Sequence, residues 1–361
     1  MKIVYFWSYY EQYLANFYQR HPGVADMPYV EQYELLLDDY FGIAGSYTRW
    51  ANKLGHESYL LINNCEPLQR QWAKENNVTF TDNWQIDVAL EQIKRLKPDI
   101  FFMSSMFNLY GAFLAEAKKL SRKVMGWIAC PIPEGQSLNQ MDLIFTSSPS
   151  FVDFFRRNGV NSELLLPAFD PNILFKLSDE TPRDIDVSFI GGITIYHKQR
   201  RELLERLAAK THLKVWGYWA QPSGRLARIR RKLFPSPFER SYNGEVWGMD
   251  MYRTLNRSKI VLNSHIDVAY QYAGNMRMFE TTGVGSLLLT DNKSNLSDIF
   301  IPDKEVVAYS TIEEAVEKIE FYLSHGKVRC DIARAGQQRT IKNYNYQSSV
   351  LCMLNYFKKY S

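Results

Sequence analysis

The stretch DVSFIGGITIYHKQRRELLERLAAKTHLKVW, Asp186–Trp216, decides the fold. An apolar run, Val187–Ile190, enters the pair Gly191-Gly192. A helical pattern over His197–Lys210 follows, with Leu203, Leu204 and Leu207 apolar, and a second apolar run, Leu213–Trp216, closes the unit. Strand, glycine turn, helix and strand within about 30 residues read as a βαβ crossover. Two glycines between a strand and a helix let the backbone approach a ligand closely. The helix N-terminus behind them carries about half a positive charge. The arrangement suits a phosphate, or is simply a tight strand-to-helix turn; neither GxGxxG nor GxxxxGK[ST] is present. Lys198, Arg200 and Arg201 fall in the first turns of the helix, where cations oppose its dipole and call for an anion or for solvent.

The same alternation extends in both directions. Toward the N-terminus, Lys2–Trp7, Ser58–Ile62, Asp99–Met103, Lys123–Ile128 and Leu143–Phe145 read as strands, with helical patterns such as Asp87–Leu96 between them. Toward the C-terminus, Lys259–Leu262, Ser286–Thr290 and Glu305–Tyr309 continue the strands. Ser310–Glu314 offers two overlapping capping boxes for a helix that carries Val316, Ile319 and Leu323. Pro167–Arg183 holds three prolines and no periodicity, and reads as a connection. The expected organisation is a first Rossmann-like domain over 1–167, a linker over 168–184, a second over 185–340 and a closing helix over 341–361. Near-continuous apolar strands suit parallel sheets covered on both faces. The fold class is therefore α/β: two doubly wound domains facing a cleft, with ligands beyond the carboxyl ends of the strands.

The totals agree with that size. The chain has 361 residues, 46% hydrophobic and 23% charged, enough for about two domains. Its net charge of +4 is too small to argue for nucleic acid. The four cysteines form no CxxC pair and no histidine stands at metal-ligand spacing, so buried free thiols and no structural metal are expected. The apolar run after Met1 is too short for a signal peptide, and no run is long enough to span a membrane. A cytoplasmic protein is expected.

A second stretch carries chemistry. In NMRMFETTGVGSLLLTDN, Asn275–Asn292, an arginine and a glutamate sit in an apolar run just before a glycine turn. Arg277 and Glu280 are three apart and share a helix face. They form either a surface ion pair of small worth or a ligand clamp, with arginine on a diphosphate and glutamate on ribose hydroxyls. The pattern leaves the two readings balanced.

The flanking residues add a resemblance. Gly244–Gly248, Ser258–Asn263, Arg277-Met278-Phe279-Glu280 with Gly283 and Gly285, Leu288–Asp291, Phe300, Glu305–Tyr309 and Ile332–Gly336 together resemble the C-terminal domain of the spore-maturation (CgeB-like) glycosyltransferase family. The resemblance covers about Asn243 to Tyr346; the first half is similar in architecture and in scattered residues such as Asp142–Thr146. It implies a GT-B fold and a nucleotide-sugar donor held by the second domain, as substrate rather than cofactor and without a metal. It implies that Glu280 faces the ribose, that Gly191-Gly192 faces the diphosphate, and that Lys198 stands near a phosphate-binding position. Arg277 then faces phosphate or orients Glu280, and Gly283 and Gly285 turn the chain closely under the nucleotide. Asn275, His265 and Tyr272 complete the expected donor-side set. Tyr272, eight residues before Glu280, stands where retaining enzymes of this fold carry a second glutamate.

No DxD pair stands at a strand end; Asp38-Asp39 reads as a solvated helix face. An inverting enzyme also needs a general base in the first domain, for which Glu11, His21, Asp26 and Asp38 are candidates. The tyrosine-rich region Ser8–Tyr47 follows the first strand and reads as acceptor-binding, the acceptor being a glycan, a lipid-linked sugar or another glycoconjugate. Gly224–Arg240 holds six basic residues against one acid, Glu239, with Leu226, Ile229, Leu233, Phe234 and Phe238 interleaved. It reads as a solvated insertion or as a segment lying on an anionic membrane, at the inner face of the membrane. The expected function is glycosyl transfer in building a polysaccharide or glycoconjugate. The alternative is a non-catalytic nucleotide- or carbohydrate-binding protein on a degenerate GT-B fold, kept open by Tyr272; a nucleotide-sugar epimerase is a more distant third.

Overall fold

The structure is a computed structural model that describes residues 1–104, 111–129, 138, 140–178, 181–194, 198–219, 224–265 and 271–360, without the side chains of 198 and 225–228. The Lys198 side chain, Cys130 and the basic side chains of Arg225 and Arg228 thus lie outside the described residues. The chain divides into two compact units, Met1–Leu166 with Tyr346–Ser361, and Pro167–Asn345.

The first unit is built on β1 (Lys2–Trp7), β2 (Glu57–Ile62), β3 (Ile100–Met103), β4 (Lys123–Trp127), β5 (Leu143–Thr146) and β6 (Ser162–Leu164). The order is β2-β1-β3-β4-β5-β6, every pair parallel. β3 and β5 are buried at every position, as a sheet covered on both faces requires. Much of the core is aromatic: Tyr5 stacks on Tyr47 and packs at a tilt against Phe102, and Tyr13 stacks on Phe41 at 3.7 Å.

The second unit holds β7 (Ile185–Ile190), β8 (Leu213–Trp216), β9 (Ser258–Asn263), β10 (Leu287–Asp291) and β11 (Val307–Tyr309), in the order β11-β10-β9-β7-β8, again all parallel. The order reverses between β7 and β9, so the carboxyl ends of those two strands form the switch point of a doubly wound sheet. Thr311 caps the helix Ile312–Ser324 by accepting from the Glu314 N–H at 3.1 Å.

Two boundaries differ from the sequence expectation. Residues 167–184 are part of the second unit: Phe169 is buried, its N–H donates to Tyr344 O at 2.8 Å, and Asp170 caps the short helix Pro171–Lys176 through Asn172 N. Three prolines marked an irregular path, and one buried ring anchors it. The C-terminal helix Tyr346–Lys359 belongs to the first unit, where Tyr346 packs edge-on to Tyr47 and both Lys359 and Tyr360 donate to Glu163. Of the described cysteines only Cys65 is buried; Cys330 is exposed and Cys352 half-buried. Among the described residues no helix is long and apolar enough to cross a membrane.

Candidate functional site

The helix Met276–Gly283 buries one face because Met278, Phe279, Thr281 and Thr282 all pack inward. Its first turn lies against the carboxyl ends of β7 and β9. Asn275, the residue before it, exchanges two amide hydrogen bonds with Asn263 at the end of β9, at 2.8 and 3.2 Å. Arg277 reaches the end of β7, where its Nε donates to Ile190 O at 3.0 Å. Its Nη1 lies 2.8 Å from Glu280 Oε2, and both guanidinium nitrogens also touch Met251 Sδ at 3.3 Å. Tyr252 donates to the other carboxylate oxygen, Glu280 Oε1, at 3.4 Å. Burial and the Glu280 charge hold the Tyr252 hydroxyl well above its ordinary pKa, so it stays a neutral donor.

The ion pair exists, but it is not on the surface. The Arg277 and Glu280 side chains are 15% and 6% exposed. The three groups that hold the pair, Ile190 O, Met251 Sδ and the Tyr252 hydroxyl, all come from elements other than its own helix. Arg277 therefore bridges the end of β7 and the glutamate.

Gly191 and Gly192 follow β7 directly. Gly191 N donates to Trp216 O at 3.0 Å, and Gly217, at φ +130°, leaves room for the turn: a Cβ there would lie 2.2 Å from Gly191 O. A Cβ at Gly192 would meet nothing within 4 Å. Arg200 fastens this turn. Its Nη1 donates to Gly192 O and its Nη2 to Ser264 O, both at 2.7 Å, with the guanidinium 5.6 Å from the Phe189 ring. Sequence reasoning expected an anion or solvent for this cation; instead it is buried and satisfies the strand-end carbonyls that converge at the switch point.

His265 departs from its expected donor-binding role. Its side chain is 2% exposed and both ring nitrogens are engaged: Nδ1 lies 2.6 Å from Asp291 Oδ1, and Nε2 accepts from Gly274 N at 3.3 Å. It therefore holds the turn that leads into the Glu280 helix. Burial pushes the Asp291 carboxyl up. The His265 hydrogen bond and charge, the Lys293 ammonium at 3.3 Å and the His265 N–H outweigh that and hold it below the usual aspartate range. Asn295 clamps Ala273 on the same turn through its N–H and carbonyl, and Tyr272 sits half-buried beside it.

Two glycines take other jobs than the one expected. Gly283 packs the helix against Phe169, whose ring a Cβ would meet at 2.3 Å. Gly285, at φ +76°, makes the turn into β10 beside Gln337. Tyr252 carried no sequence signal, and Asp291 was marked only as the residue that closes an apolar strand run.

In the first unit the candidates separate. Glu11 is exposed and opens the helix Glu11–Arg20 just past the carboxyl end of β1. His21 and Asp26 follow that helix at its far end, about 15 Å away along ten residues. The His21 ring rests 4.8 Å from that of Phe17, and Asp26 is exposed. Asp38 is exposed but Asp39 is buried on Arg20 Nη2 at 3.1 Å, so the pair is not a solvated face. Tyr9, Tyr13, Phe17, Tyr40 and Tyr47 are core residues rather than the lining of an acceptor groove, and Tyr10 is 62% exposed. Among the described residues no cluster of three or more His, Cys, Asp or Glu could hold a metal ion.

Residues 198–355 match a family described as glycosyl transferase-like. No curated protein sequence matches the chain. Solved structures match it over its full length. A glycosyltransferase from Rickettsia africae is 12% identical, with 99% of this chain and 98% of that one covered and a TM-score of 0.61. Anabaena HepE in complex with UDP-glucose is 10% identical, with 99% and 100% covered and a TM-score of 0.62. Sucrose-phosphate synthase from Thermosynechococcus elongatus is 11% identical, with 99% and 98% covered and a TM-score of 0.55. The chain has the GT-B fold, and residues 198–355 carry a glycosyl transferase-like sequence.

Proposed function

We propose that this protein is a glycosyltransferase that moves a sugar from a nucleotide-sugar donor to a glycan, lipid-linked or other glycoconjugate acceptor, of the spore-maturation (CgeB-like) type. The observation that carries the reading is Glu280. It is a buried carboxylate beside the switch point of the second unit, in the matched region, held by Arg277 and Tyr252. A carboxylate fixed in this way accepts from two adjacent hydroxyls, as ribose presents them. Gly192, just past the end of β7, leaves free space where a side chain would stand, which suits a diphosphate there. A neighbouring fold was solved with UDP-glucose bound, which makes a UDP-sugar the first donor to try.

Transfer expels a nucleoside diphosphate, so negative charge grows on the leaving oxygens in the transition state. Donors aimed at that charge lower the barrier. Lys198, at the start of the helix after the glycine turn, and the N-terminal end of that helix are suited to the task, and we propose that no metal is required. On the acceptor side Glu11 is the preferred base, because it stands at the carboxyl edge of its sheet.

The test is release of nucleoside diphosphate from UDP-, GDP- and dTDP-sugars, with and without chelator, alongside melting temperature with each donor. One donor should turn over, with the rate unchanged by chelator. If none turns over and none shifts the melting temperature, the reading fails. A shift without turnover would favour the non-catalytic alternative that Tyr272 suggests.

A further inference from the structure

The basic segment Gly224–Arg240 lies outside the donor site, and among the described side chains of its helix the apolar ones point outward. In Arg225–Leu233 and the residue after it, Ile229, Leu233 and Phe234 are 45%, 63% and 74% exposed. Arg231 stands two residues from both Ile229 and Leu233, about 200° round the helix from each. Its guanidinium lies 5.5 Å from the centre of the Trp219 ring. That ring packs edge-on to Phe238 and Tyr242 on the core of the second unit. A cationic side chain thus faces the protein and the apolar residues face solvent. A surface helix ordinarily shows the reverse, its apolar stripe on the core.

The surroundings of the apolar residues are basic. Arg230, Lys232 and Arg240 are exposed. The one acid of the segment, Glu239, accepts from the Ser236 N–H at 2.8 Å in a capping box. Apolar side chains pointing outward with a cationic rim match the boundary of an anionic bilayer. There the rings and branched chains enter the acyl edge while Lys and Arg meet phosphates. A second copy of the chain fits worse, because a twofold contact through this face opposes two basic segments.

We propose that the helix Arg225–Leu233 with Phe234 seats the protein reversibly on an anionic phospholipid surface. The test is co-sedimentation of the full chain with vesicles of phosphatidylcholine alone and of phosphatidylcholine mixed with phosphatidylglycerol. Pelleting is expected with the mixed vesicles only, and is lost at high salt. Arg230→Gln/Lys232→Gln should lower the partition about 30-fold, at roughly fivefold for each basic residue near the lipid. Leu233→Ser/Phe234→Ser should lower it at least about tenfold. All four side chains are exposed, so both variants should keep the parent melting temperature. No pelleting, equal pelleting with both vesicles, or variants that pellet like the parent would overturn the proposal. So would a parent that elutes as a dimer which Leu233→Ser/Phe234→Ser converts to a monomer. The readout needs neither donor nor turnover, so its failure and that of the glycosyltransferase reading are separate results.

Discussion

Replacing Glu280 separates its part in folding from its part in binding. The carboxylate lies 2.8 Å from Arg277, with side chains 6% and 15% exposed. At that distance two unit charges attract by roughly 6 kcal/mol for an effective dielectric of about 20, and desolvation offsets part of it. Removing one partner leaves the other charged and buried, at a cost of about 3–5 kcal/mol. Glu280→Gln should destabilise the protein by that much, while its amide oxygen still accepts from Tyr252. Arg277→Met should cost as much or more, since the bond to Ile190 O is also lost. Arg277→Met/Glu280→Gln removes both charges and should recover most of the loss, so the two effects fall well short of additive. Affinity should behave differently. The amide is a poorer acceptor for ribose hydroxyls, and a hydrogen bond to a charged group is worth about 1.5–3 kcal/mol. The Kd for UDP should therefore rise at least about tenfold in Glu280→Gln and stay raised in the double variant. Urea unfolding reads the first quantity, and calorimetric titration well below each melting temperature reads the second. A double variant that regained affinity along with stability would refute the ribose role, because Glu280 would then act only by folding its surroundings. An unchanged Kd in folded Glu280→Gln would refute it more directly.

Two further expectations follow from the packing and the charges of the second unit. Gly283→Ala places a Cβ 2.3 Å from the buried Phe169 ring, so it should cost about 1–3 kcal/mol in urea unfolding, and Phe169→Leu in the same chain should restore part of it. A neutral Gly283→Ala would mean that Phe169 does not anchor residues 167–184. Asp291 is held below the ordinary aspartate pKa, so its contribution to stability is full above about pH 4 and is lost as the pH falls through the folded value. Urea midpoints of the parent should therefore drop between pH 6 and pH 3 more steeply than those of Asp291→Asn, and parallel curves would show that the His265–Asp291 contact contributes nothing.

What was legible in the sequence follows from what each pattern encodes. A strand buried on both faces must be apolar throughout, so β1, β3 and β10 stood out as runs, and glycine between strand and helix marked the switch point. A cation in the first turn of a helix encodes only the need for a negative partner. Phosphate, solvent and backbone carbonyls all satisfy that need, and nothing local distinguishes them. Arg200 found Gly192 O and Ser264 O because the crossover brings the ends of β7 and β9 together, with Ser264 lying 64 residues beyond Arg200 in the chain. Aromatic side chains are as silent about their neighbours. Tyr13 stacks on Phe41 and Tyr47 on Tyr5, contacts between separate elements, so several rings of the tyrosine-rich segment became core while Tyr10 stayed exposed. The Arg277–Glu280 pair shows the limit most sharply. Its spacing on one helix face could be read from the chain, but its worth depends on burial. Burial is set by Ile190, Met251 and Tyr252, which come from a strand and a helix that the spacing does not mention. The sequence could therefore pose the choice between surface ion pair and ligand clamp, and only the packing could replace it with a buried carboxylate whose orientation is fixed before any ligand arrives.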